Sequence, residues 1–90
     1  MSDFKLVVGE HCANGAKVIA LFMNESEGIV LATWKSEFIT WEFPASQQDS
    51  TAHGNYFMYD SDNWGDAFYK AYSDMIDRIQ RIIRSNQHDQ

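Results

Sequence analysis

The residues Asp60-Ser61-Asp62-Asn63-Trp64-Gly65 open like a calcium loop, with acids at the first and third positions and glycine at the sixth. Calcium needs oxygen at the fifth position and a bidentate carboxylate at the twelfth, and here those positions hold Trp64 and Ala71. The same cluster suits a helix start, because short polar side chains accept the unpaired N–H groups of a first turn. We therefore expect a cap and no metal. His11 and Cys12 are adjacent, and neighbours on a strand point to opposite faces, so they are poorly placed to share an ion or form a nucleophile–base pair. With a single cysteine and with His53 and His88 far apart in sequence, no zinc-binding spacing is present. The serines lack a nucleophile-elbow context, and the five glycines are isolated, which leaves no phosphate-cradling loop. The reading is of no catalytic residues and no cofactor.

The aromatic residues allow another kind of chemistry. Trp34, Trp41, Tyr56, Phe57 and Tyr59 fall in strand-like stretches and could stack on nucleobases. Three lysines accompany nine acids in residues 1–62, however, and a nucleic-acid footprint needs the opposite balance. Core packing and anchoring of a protein partner are the better uses for such side chains. The whole net charge of −6 lies in residues 1–62, since residues 63–90 carry four acids and four bases. Such a surface draws basic partners. The candidate charge contacts are Glu25, Glu27, Glu37, Glu42 and Asp49, and the candidate aromatic anchors are Trp34, Trp41 and Tyr56.

The elements that must position these residues follow from periodicity and turn chemistry. Strands are expected at about 4–13, 16–24, 28–35, 37–43 and 55–59, with a loop over 44–54. Asn14-Gly15 predicts a two-residue hairpin. In the fourth stretch Ile39, Trp41 and Phe43 alternate with Thr40 and Glu42. Trp64, Phe68, Ala71, Tyr72, Met75, Ile76, Ile79, Ile82 and Ile83 form one apolar stripe, so a helix is expected at about 62–85, with a frayed tail at 86–90. Asp66–Lys70, Asp74–Arg78 and Asp77–Arg81 are spaced as i,i+4 ion pairs. The fold class is α+β: an antiparallel sheet of four to five strands and one long C-terminal amphipathic helix packed on one face, forming a single domain over 1–90.

The stretches 17–23 and 29–34 are apolar on both faces, as in strands covered on both sides. One helix covers one face, so the sheet either curls over its own core or meets a second copy, and a homodimer is expected on that account. One cysteine, no basic-then-apolar leader and no apolar run long enough to span a bilayer suggest a cytoplasmic protein without membrane contact. The functional expectation is a small acidic, non-enzymatic protein-binding module. It is of inhibitor, immunity or adaptor type and acts on a partner with a basic surface, of which a nucleic-acid-processing enzyme is one kind. It does not bind nucleic acid directly. The alternative is a small-molecule-binding domain or minor enzyme, with a pocket between sheet and helix or at a dimer interface.

Overall fold

A computed structural model describes residues 5–12, 14–49 and 52–88. Four strands, β1 (Lys17–Met23), β2 (Glu27–Trp34), β3 (Glu37–Pro44) and β4 (Ala52–Met58), are followed by one helix, α1 (Trp64–His88). The strands form an antiparallel meander in the order β1-β2-β3-β4, and α1 crosses β2, β3 and β4 on one face. The fold is the expected α+β arrangement, with four strands.

The expected first strand, 4–13, is not a strand among the described residues. Gly9 adopts φ +92° and the Glu10 N–H bonds to the Val7 carbonyl at 3.0 Å, so the chain turns where a strand would run straight. The segment instead forms an arm. Its Gly9 N–H donates to the Val18 carbonyl and its Glu10 carbonyl accepts from Val18, each at 2.9 Å, while His11 makes an isolated bridge to Lys17. The turn that follows differs from the two-residue hairpin expected at Asn14-Gly15. The Cys12 N–H bonds to the Ala16 carbonyl at 2.8 Å, which closes a three-residue loop with Gly15 at φ +92°. The Asn14 Oδ1 accepts from the Ala16 N–H and from the Cys12 thiol.

This arm answers the question of the second face. Leu6, Cys12 and Ala16 pack with Val18, Val30, Ala32, Ile39, Trp41 and Phe43 on the side of the sheet away from the helix. The covering that a second copy was expected to provide is supplied within the chain. The far end of the arm is held by Gln48, whose Oε1 accepts the Leu6 N–H at 2.9 Å.

Strict alternation along β1 would put Val18, Ala20 and Phe22 on one face. A bulge between Val18 and Ala20 changes that: Val18 faces the arm, whereas Ile19, Ala20 and Phe22 pack toward the helix. One extra residue in a strand inverts the sidedness of everything beyond it. The expected 44–54 loop is shorter than its sequence suggests, because Pro44 ends β3 and β4 begins at Ala52.

The helix starts at Trp64, later than expected, and runs to His88. The Asp60 Oδ1 accepts the N–H groups of Asp62 and Asn63 at 2.8 and 3.1 Å, and the Asn63 Oδ1 accepts the Asp60 N–H at 2.6 Å. These reciprocal bonds close the turn 60–63 that leads into α1, and the Asn63 carbonyl accepts the first helical bond, from the Ala67 N–H at 3.0 Å. Ala67, Ala71, Met75 and Ile82 pack on Ile29, Leu31 and Phe38. Trp64, Phe68 and Tyr72 stack in succession along one flank, with centroids 6.0 and 6.1 Å apart, and Phe38 meets Phe68 edge-on at 5.3 Å.

Candidate interaction surface around the β4 edge

On β3, Ile39, Trp41 and Phe43 enter the arm-side core, which turns Thr40 and Glu42 toward the helix. Two polar side chains under a helix need partners there, because buried polar groups without hydrogen bonds are destabilising. Arg78 supplies one of them. It lies on the apolar stripe between Met75 and Ile82 and is 6% exposed. Its Nη1 is 3.0 Å from Glu42 Oε2 and its Nε is 3.0 Å from Asp74 Oδ2. The fully buried Thr40 hydroxyl donates to Asp74 Oδ2 at 2.5 Å, and the Asn55 amide reaches both Asp74 oxygens at 3.3 and 3.2 Å. One network therefore joins β3, β4 and α1. Glu42, expected as a partner contact, spends its charge on Arg78.

An open groove of about 470 Å³ runs between β4 and α1 beside this network. Asn55, Tyr69, Lys70, Ser73, Asp74 and Asp77 line it. Lys70 is paired with Asp66 at 3.0 Å. The groove and the network beneath it hold the four carboxylates of Glu42, Asp66, Asp74 and Asp77 and the two cations Lys70 and Arg78.

On the opposite face, a smaller cleft of about 190 Å³ opens between the turn that ends the arm and the end of the β2–β3 hairpin. Ile39 contributes to its lining, along with Asn14, Ala16, Trp34, Glu37 and Tyr56. Trp34 is 44% exposed, Tyr56 64%, and Met58, two residues along the strand from Tyr56, 72%. Lys35 Nζ lies 4.5 Å from the Trp34 ring centroid, within cation–π range.

The structure thus brings Trp34, Tyr56 and Glu37 to one cleft. Trp41 does not belong with them: it is 2% exposed, in the arm-side core. Its parity along β3 matches Ile39 and Phe43, and that face is covered. Glu25 and Glu27 sit at the other end of the sheet, in and just after the β1–β2 turn, and Asp49 lies beyond β3 near the same end, since the Ala45 N–H bonds to the Ser26 carbonyl. Met58 and Tyr69 carry no signal of their own in the sequence, and Asp77 reads there only as an i,i+4 partner of Arg81. Met58 was legible in principle, as the residue that shares a face with Tyr56. Arg78 was legible too, as a charge on an apolar stripe.

Among the described residues no group of three or more His, Cys, Asp or Glu side chains is arranged to hold a metal ion, and no helix is long and apolar enough to cross a membrane. Cys12 is buried, and its Sγ lies 2.8 Å from Asn14 Oδ1 and 3.1 Å from the Ala16 carbonyl oxygen, which share its one thiol proton. No protein-family profile, curated protein or solved structure matches this chain.

Proposed function

We propose that this protein is a small acidic protein-binding module without catalytic activity, which blocks or recruits a partner bearing a basic surface. The observation that carries this reading is the exposure of Trp34, Tyr56 and Met58 together on one face, at the end of the sheet nearest the β2–β3 turn, in a chain of net charge −6. Contiguous exposed apolar groups mark interaction sites, and Trp and Tyr are the residues most often found to dominate binding energy. The charge supplies steering toward a basic surface. Nucleic-acid-processing enzymes carry such surfaces, which makes inhibition or immunity by charge competition the leading role. The single free cysteine fits a reducing compartment such as the cytoplasm.

The test is capture of partners from native-host lysate on the tagged protein, in parallel with a Trp34→Ala/Tyr56→Ala variant, at low and high salt. A stoichiometric protein held by the wild type, released by salt and lost with the double variant supports the reading. A partner retained equally by the variant and indifferent to salt rejects it. The groove between β4 and α1 favours a second reading, a small-molecule site, which a thermal-shift screen addresses because a ligand bound only by the folded chain raises Tm.

A further inference from the structure

The geometry points to strand addition: an extended partner segment, with apolar and basic residues in alternation, pairs with the free edge of β4. This rests on the protein-binding reading above and specifies its mode.

β4 is the last strand of the sheet, and among the described residues no strand pairs with its outer edge. Which of its backbone groups are free follows from the ladder. The Tyr59 N–H bonds to the Ser36 carbonyl at 2.9 Å, so that pair is a hydrogen-bonded one. Bonded and non-bonded pairs alternate in an antiparallel ladder. With the register Glu37↔Met58, Phe38↔Phe57 and Ile39↔Tyr56, Phe57 bonds inward to β3, and the N–H and C=O groups of Tyr56 and Met58 point outward. Edge strands are commonly blunted by lysine, proline or inward charge. The β4 sequence AHGNYFM carries no Lys, Arg, Asp, Glu or Pro, and its register shift lies before Asn55, so the regularly paired stretch Asn55–Met58 is the part of the edge left open. At the opposite edge of the sheet, the outward groups of Val18 are already taken by Gly9 and Glu10.

A strand laid on this edge sends alternate side chains to two different environments. Those on the arm side meet the cleft of Trp34, Ile39 and Tyr56, with Met58 beside it and Asn14 and Glu37 also in its lining; the aromatic and aliphatic part of that surface suits Val, Ile or Leu. Those on the helix side meet the groove of Tyr69, Lys70, Asp74 and Asp77; Lys70 is paired with Asp66 and Asp74 with Arg78, which leaves Asp77 as the carboxylate to receive Lys or Arg. The two flanks therefore specify period-two apolar/basic alternation. A second copy of this chain is a poor occupant, because antiparallel pairing of two β4 edges would set its α1 on the same face beside this one, with Asp74 and Asp77 of both copies turned to the shared groove, and like charges repel.

The test uses a synthetic peptide, Ac-Val-Arg-Val-Arg-Val-Arg-Val-NH2, and an isomer of identical composition with its valines and arginines in blocks. Binding to the full chain is followed by isothermal titration and by amide chemical shifts. We expect the alternating peptide to bind at least about tenfold more tightly than the block isomer, a difference of about 1.4 kcal/mol, with the largest shifts at Tyr56 and Met58. Met58→Pro removes an outward N–H while leaving the ladder to β3 whole, so it weakens binding much more than Met58→Ala. N-methylation of alternate peptide nitrogens tests the same hydrogen bonds without altering the protein. Asp77→Asn weakens the alternating peptide at low salt and has little effect at high salt. Equal affinity for the two peptides, no binding by either at millimolar concentration, indifference to N-methylation, or a β4-mediated dimer that Met58→Pro disrupts would each overturn strand addition. A salt-sensitive partner lost with Trp34→Ala/Tyr56→Ala would still uphold the protein-binding reading, so the two failures are distinguishable.

Discussion

Replacing Arg78 with alanine removes a buried charge that ties α1 to the sheet. Arg78 forms two ion pairs, each with N···O of 3.0 Å, to Glu42 and Asp74. A hydrogen bond to a charged group contributes about 1.5–3 kcal/mol. The Glu42 and Asp74 side chains keep 39% and 22% of their exposure, so water recovers part of what each carboxylate loses when its partner is removed. Breaking a fully buried pair costs about 3–5 kcal/mol, and discounting for this exposure gives about 2–3 kcal/mol for Arg78→Ala. In a domain of this size that lowers Tm by roughly 10–20 °C. The assay is urea denaturation followed by tryptophan fluorescence, with the m-value checked so that a change in midpoint can be read as a change in stability. The exposed pair Asp66–Lys70 is the internal comparison, and Lys70→Ala is expected to cost less than about 0.5 kcal/mol. Replacing the charges together, as Arg78→Met/Glu42→Gln/Asp74→Asn, recovers at least about half of the loss, since no isolated charge is left beneath the helix. A loss for Arg78→Ala no larger than that for Lys70→Ala would refute the claim that this network pins the helix.

Gly28 sits where an added Cβ would lie 2.4 Å from the Phe43 ring and 3.0 Å from the Phe22 carbonyl. Because Phe43 is buried, Gly28→Ala is expected to cost about 2–3 kcal/mol, and a double-mutant cycle with Phe43→Leu should show favourable coupling. Lys35 holds φ +54° in the two-residue β2–β3 turn. Lys35→Gly relieves about 1 kcal/mol of backbone strain and gives up roughly 0.5 kcal/mol of cation–π contact, so Tm should rise by a few degrees. Gln48→Ala leaves the buried Leu6 N–H without its acceptor, and a loss of about 1–2 kcal/mol is expected, with faster hydrogen exchange at Leu6 and Gly9.

The parts of the fold legible in the sequence are those fixed by local periodicity. The α1 stripe repeats over several turns, and β2 and β3 flank a short polar turn, so both were readable from spacing. The arm was not. Leu6, Val7 and Val8 have strand-forming side chains, but Val7 and Val8 are exposed and Gly9 turns the chain. A glycine does not declare which φ it will take. The bulge at Ile19 was hidden for a related reason, since an apolar run without polar markers has no phase to reveal a slip. For the candidate surface, the aromatic residues were visible as a set, but their division between core and surface depends on how far along the sheet the arm reaches. That reach is set by Gln48, 42 residues from Leu6, and by the Cys12–Ala16 turn.

The meander also bears on how the chain folds. Each of the three strand pairs joins neighbours in sequence, so the sheet can form through short loop closures, which are fast. The Leu6–Gln48 bond and the helix–sheet contacts close much longer loops and gain their enthalpy only after the sheet exists. Mutations in the β2–β3 hairpin are therefore expected to slow folding. Loss of the Gln48 latch should mainly speed unfolding, so the arm governs how long the native state survives more than how quickly it forms.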